Sequence, residues 1–204
     1  MGWNPRKYDA QHNLNTATYV RRIKRVFNAA IERIVNATGI CPINQAVPFN
    51  INDYPGLKKI INLEIKSLSK QINTTIINGI NREWDLANSK NDMMLKKAGG
   101  RKAADTLIAA YSDRNLKALS AFIKRTEAGM KISERVWNLS KGFQMDIERA
   151  LAVGINRGSS AQSLARDIKQ YLVNPDMLFR RVRDAEGELR LSRNAKDFHP
   201  GQGV

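Results

Sequence analysis

With 204 residues the chain has room for one domain or two small ones around a buried core. Its 42% apolar and 26% charged residues exclude a disordered, highly charged chain. The formal net charge of +15, shared by both halves, favours a densely negative partner, nucleic acid or an acidic protein surface, over a neutral one. The bland alternative is a solvated basic surface. Cys41 is the single cysteine, so no intrachain disulfide can form. The N-terminus lacks the charged flank, apolar run and cleavage site of a secretory signal. The longest Ile-rich region, 57–80, is interrupted by Lys58, Lys59, Glu64, Lys66 and Lys70, which excludes a membrane span.

Residues 1–13 are polar, with Trp3 and Tyr8 among charges, and read as a loosely held arm. Asn13 or Asn15 is the expected cap of a helix reaching about Thr38, with Ala17, Val20, Ile23, Phe27, Ala30 and Ile34 on its apolar face. Arg21, Arg22, Lys24, Arg25 and Arg33 fill much of the remainder. Such a helix suits nucleic acid or an acidic partner, or is simply a packing helix with a charged outer face. Pro42, Pro48 and the Asn-Asp-Tyr-Pro run at 52–55 mark a loop.

A long helix is expected over 56–97, with Leu57, Ile61, Ile65, Leu68, Ile72, Ile76, Ile80, Trp84 and Ala87 as its stripe. The steps are mostly four, longer on average than the roughly 3.5 residues of a left-handed coiled coil, so the stripe drifts around the helix. Unbroken, the helix would be about 60 Å long at roughly 1.5 Å per residue. That length implies an elongated molecule, with self-association or another protein covering its apolar face. Gly99-Gly100 reads as a flexible joint, followed by short helices near 103–111 and 113–125.

The best-specified stretch runs from 133 to 196. Ser133 is the expected cap of a helix carrying Val136, Leu139, Phe143, Ile147, Leu151 and Ile155 on one face. Gly158 suits a left-handed C-terminal position. Ser159-Ser-Ala-Gln162 matches a capping box opening a second helix with Leu164, Ile168 and Leu172 on its stripe. Asn174-Pro175 stops it. Beyond, two alternating runs flank Asp184-Ala-Glu-Gly187 and fit a small β-hairpin. Arg180, Arg181, Arg183, Arg190, Arg193 and Lys196 make it basic, and these six are the candidate nucleic-acid-binding residues. Cross-strand pairing with Asp184, Glu186 and Glu188 is the competing reading. The terminus Phe198-His-Pro-Gly-Gln-Gly-Val204 reads as a chain ending within a linker.

The expected architecture is therefore mainly α: an elongated helical bundle with one long helix, ending in a small β-hairpin. The expected divisions are a helical region 1–98, a helical domain 99–175, and a basic hairpin with linker over 176–204. Catalysis finds no support in the residue pattern. His12 and His199 lack metal or triad spacing and read as surface histidines. Cys41 has no identifiable base. Glu32, Asp85, Asp146 and Glu148 fit solvated helix faces, and Gly99-Gly100-Arg-Lys lacks a phosphate-loop pattern. No enzyme and no cofactor is expected. Trp3, Trp84 and Trp137 suit base stacking, but Trp84 and Trp137 sit beside apolar stripes and read better as helix contacts.

Several strings together resemble a known family. They are Arg135-Val-Trp-Asn-Leu139, Ala150-Leu-Ala-Val-Gly-Ile-Asn-Arg-Gly-Ser-Ser-Ala161, Leu164-Ala-Arg-Asp-Ile168 and Tyr171-Leu172, then Pro175-Asp-Met-Leu-Phe-Arg-Arg-Val-Arg183 and Phe198-His-Pro-Gly-Gln-Gly-Val204. The combination resembles the minor head proteins of tailed bacteriophages, in the head-morphogenesis group similar to Mu protein F, over roughly 120–204. The resemblance implies a virion component of the head interior, assembled in the host bacterial cytoplasm. Its implied partners are the portal protein and other head proteins, and some relatives contact DNA. The family's chain normally continues with a helix bearing an Arg-Thr-Glu signature. Here Arg125-Thr-Glu127 lies upstream in another context, so that role is not carried over. The competing expectation is a free-standing, non-specific nucleic-acid-binding protein.

Overall fold

The computed structural model describes residues 5–44, 46–110, 115–173, 181–183 and 189–191. Among these the protein is mainly helical, with α1 (Pro5–Ile40), α2 (Pro55–Ala110), α3 (Leu116–Lys124), α4 (Ile132–Asn156) and α5 (Ala161–Val173). The chain forms two compact units, each from two separate stretches. The first takes Met1–Val26 and Ser69–Asn138, the second Phe27–Leu68 and Leu139–Val204.

Helix ends are where the structure departs most from expectation. Helix α1 opens at Pro5 and not at Asn13 or Asn15, so most of the expected arm is helical. Proline suits a first turn because its φ is already helical and its missing N–H is not needed there. Asn15 sits inside the helix, buried, with its Oδ1 accepting from Gln11 Nε2 at 2.9 Å. Helix α2 likewise opens on a proline and runs 56 residues, straight through the joint expected at Gly99-Gly100 and the separate helix expected at 103–111. A glycine costs a helix interior about 1 kcal/mol, too little to stop an established, cooperative run. The helix expected near 113–125 is α3, entered through Asn115 at φ 54.

Helix α4 starts two residues earlier than expected, at Ile132. The Lys131 carbonyl accepts from the N–H groups of Glu134 and Arg135, and Glu134 Oε2 accepts from Lys131 N–H at 2.6 Å. The start is thus half a capping box on Lys131 and Glu134, and Ser133 is not the cap. At the other end Gly158 has φ 69. Its N–H reaches the Ile155 carbonyl, and Ser159 N–H reaches that of Gly154, the paired bonds of a Schellman stop. Helix α5 is capped by Ser160 and not by Ser159: Ser160 Oγ accepts from Ser163 N–H at 3.2 Å. Gln162 is therefore one position short of closing a capping box.

The second unit holds a chiefly aliphatic core. Ala30, Ile31, Ile34 and Val35 of α1 are buried, with Leu57, Ile61, Ile65 and Leu68 of α2, Phe143, Ile147 and Leu151 of α4, and Leu164 and Ile168 of α5. Each of the larger side chains, the Val, Leu, Ile and Phe, contributes roughly 1.5–3 kcal/mol. Phe27 meets Phe143 edge to face at 4.8 Å. Gly154 permits the close approach of α5, since a Cβ there would stand 2.5 Å from Leu164 Cδ1. Buried Gln144 is satisfied by three partners: its Nε2 donates to Asn62 Oδ1 and Glu148 Oε1, and its Oε1 accepts from Lys141 Nζ. Glu148 is thus tied to Gln144 rather than solely solvated. The loop before α2 is pinned as well. Phe49 is buried, stacks on Tyr54, and donates its N–H to Asn156 Oδ1 at 2.7 Å.

Several expected stripe positions lie outside, Ala87 of α2 among them. Leu139 is 57% exposed, its place on the α4 stripe taken by fully buried Ser140. Val20 is 62% exposed, and Ala17 is exposed with it; Asn15 and Tyr19 join the expected Ile23 on the inner face of early α1 instead. The expected hairpin over 176–196 lies for the most part outside the described residues. Within them are the backbones of Arg181–Arg183 and Leu189–Leu191, paired antiparallel with Val182 opposite Arg190.

Candidate functional site

In the first unit, early α1 and the later part of α2 bring polar groups together around one carboxylate. His12, Asn15 and Tyr19 recur at spacings of three and four, hence on one face of α1. All three turn to Glu83 of α2. His12 Nδ1 lies 2.7 Å from Glu83 Oε2, Asn15 Nδ2 donates to Oε1 at 2.9 Å, and Tyr19 OH donates to Oε1 at 3.0 Å. An ionised carboxylate only accepts, so the His12 hydrogen facing it belongs on Nδ1. Lys90 Nζ meets Asp9 at 2.8 Å one turn further out.

The cluster tunes its members. Burial alone would push the Glu83 carboxyl up, but hydrogen bonds from His12, Asn15 and Tyr19, with the charge of His12, hold it below the usual carboxylate value. The Tyr19 phenol is pushed up, first by burial, then by its bond to Glu83 and that carboxylate's charge; Arg82 opposes. His12 is therefore not a plain surface histidine. It is exposed on one side and tied to a carboxylate on the other.

Beside the cluster is a cavity of about 430 Å³, lined chiefly by Tyr19, Ile23, Ile76, Ile80, Trp84 and Phe122. Trp84 thus lines a cavity wall, whereas Trp137 is 38% exposed and not a core residue. The Tyr19 ring lies over Gly79, whose added Cβ would stand 3.4 Å from it. Chemically the arrangement is a carboxylate-oriented imidazole next to an apolar hollow. Among the described residues no group of three or more His, Cys, Asp or Glu is placed to hold a metal ion. No described helix is long and apolar enough to cross a membrane.

Three groups of basic residues bear on the expected nucleic-acid contact. Of the six expected nucleic-acid contacts, Arg180, Arg193 and Lys196 lie outside the described residues, and Arg181, Arg183 and Arg190 are described as strand backbone. In the second unit Arg33 is engaged with Glu64 at 2.7 Å and Lys169 with Glu32. On α1, Arg21, Arg22, Lys24 and Arg25 are exposed. Sequence reasoning did not find Glu83; the available signal was the His12, Asn15, Tyr19 spacing, which sets polar groups where the apolar stripe should be. No protein-family model, curated protein or solved structure matches the chain.

Proposed function

We propose that this protein is a minor head protein of a tailed phage or prophage, acting in head morphogenesis. It docks at the portal through its helical body and meets packaged DNA without sequence preference. The observation that carries this reading is the combined set of strings between Arg135 and Val204 that resembles the Mu protein F-like group. A mainly helical chain with a 56-residue helix is compatible with it, and so is a net charge of +15. On this reading the protein works in the virion head interior and passes through the host cytoplasm during assembly. It is a structural component and not an enzyme. An elongated bundle, self-association, and a terminal hairpin presenting Arg180, Arg181, Arg183, Arg190, Arg193 and Lys196 to phosphates belong to the same proposal.

The test is co-purification with the portal protein of its phage or prophage, with the mass determined by light scattering. A complex of defined stoichiometry is expected. A monomer that ignores the portal yet binds DNA would instead support a free-standing nucleic-acid-binding protein, the reading that the net charge alone favours. Changing Arg180, Arg181 and Arg183 together to Ala should weaken DNA binding and flatten its salt dependence; an unchanged slope removes them from the binding surface.

A further inference from the structure

The first unit carries a basic surface that the C-terminal arginines do not account for. Arg21, Arg22, Lys24 and Arg25 follow within five positions of α1, and all four are exposed. At roughly 100° per residue they fall within less than half the helix circumference. Tyr19 and Ile23, which line the cavity with residues of α2, occupy the opposite side. No acidic residue stands on α1 between Asp9 and Glu32. None of the four makes an ion pair among the described residues, and Arg21 has a hydrogen bond to Thr18 Oγ1 at 3.2 Å. By contrast Arg33, further along the same helix, has its carboxylate partner.

We propose that this face of α1 contacts the phosphate backbone of duplex DNA, in addition to the C-terminal arginines. The inference rests on the reading that the chain meets DNA and names a further place where it does so. Charge density is the first argument. Four cations over Arg21 to Arg25 occupy about 6 Å of helix axis. A duplex presents roughly one phosphate charge per 1.7 Å, so the two densities match closely. Residue type is the second: three of the four are arginines, whose planar forks suit phosphate oxygens better than a lysine point charge does. An anionic membrane fits less well. Surface helices bind lipid through a broad apolar face beside the basic one, and here the apolar side of α1 is turned to α2, leaving Val20 and Leu14 outside.

The experiment uses the full chain and a fluorescently labelled, mixed-sequence DNA duplex, with affinity followed by anisotropy over a series of salt concentrations. Arg21→Gln, Arg22→Gln, Lys24→Gln and Arg25→Gln combined should weaken binding on the order of tenfold or more at low salt and make the log–log salt slope shallower by about 3–4. All four are exposed, and unchanged helical circular dichroism verifies the fold. Arg21→Lys, Arg22→Lys and Arg25→Lys combined should retain most of the slope, because the charge is kept. An unchanged slope in the Gln variant, while the Arg180, Arg181 and Arg183 variant loses it, overturns this inference and leaves the DNA reading standing. A wild-type chain that ignores the duplex at low salt overturns both, with the portal complex still to be judged by itself. Tighter binding to phosphatidylserine vesicles than to duplex, lost in the Gln variant, would assign the face to a membrane and overturn the proposal.

Discussion

The two units share α1, α2 and α4 and solve burial differently. In the second, chiefly aliphatic side chains from four helices close the core, and its buried amide, Gln144, has a partner for every polar atom. In the first, the facing positions of α1 and α2 hold Asn15, Tyr19 and Glu83, with an open cavity beside them. The buried side-chain atoms without a partner among the described residues, Asn73 Oδ1 and Asn88 Nδ2, also fall in the first unit. Apolar burial is non-directional and accumulates with area, whereas a polar cluster is worth little unless every group is matched. The second unit should therefore carry more of the stability, and the first more of the adjustable surface.

The largest effect should come from opening the apolar core of the second unit. Ile65→Ala is expected to cost about 2–5 kcal/mol in urea unfolding, from lost transfer energy plus a cavity. Ile80→Ala, beside the existing cavity of the first unit, should cost clearly less. Equal losses would break the comparison. Glu83→Gln should cost about 1–3 kcal/mol, since it replaces a charged acceptor serving three donors.

Glu83 also sets a pH dependence. Its folded value lies below the ordinary 4.5, so its contribution is complete above that pH and is lost as pH falls through the folded value. Urea midpoints from neutral pH down to about 3 should show this acid limb, and Glu83→Gln should flatten it. The same change at Glu32, an exposed carboxylate paired with Lys169, should leave a smaller mark. A larger one would place the acid sensitivity in the wrong unit.

The smallest effect expected is a gain. Glu127 and Met130 exchange backbone bonds around Ala128 at φ 51 and Gly129 at φ 75, a turn needing two left-handed residues. Ala128→Gly relieves the one residue poorly suited to it and should stabilise by up to about 1 kcal/mol. A loss, read from the same unfolding curves, would show that the turn is held from elsewhere.

The sequence by itself determined that the chain is mainly helical and, Leu139 apart, which apolar positions of the second unit's helices are buried. Runs such as Leu57, Ile61, Ile65 and Leu68 state their period outright, and burial follows period. Gly158 was legible for the same local reason, because a helix stop needs a left-handed residue there. Helix ends were less legible, since Pro5, Lys131 and Ser160 compete with neighbours that differ by a fraction of a capping energy. Only the tertiary structure decided that His12, Asn15 and Tyr19 share a carboxylate on α2. Residues 64 or more positions apart come together through packing, and no local spacing encodes the partner. The same holds for the basic residues. Composition supplies the charge, but only the fold separates Arg33, bound to Glu64, from the exposed group at Arg21 to Arg25, because what a cation can contact depends on which carboxylates the packing brings to it.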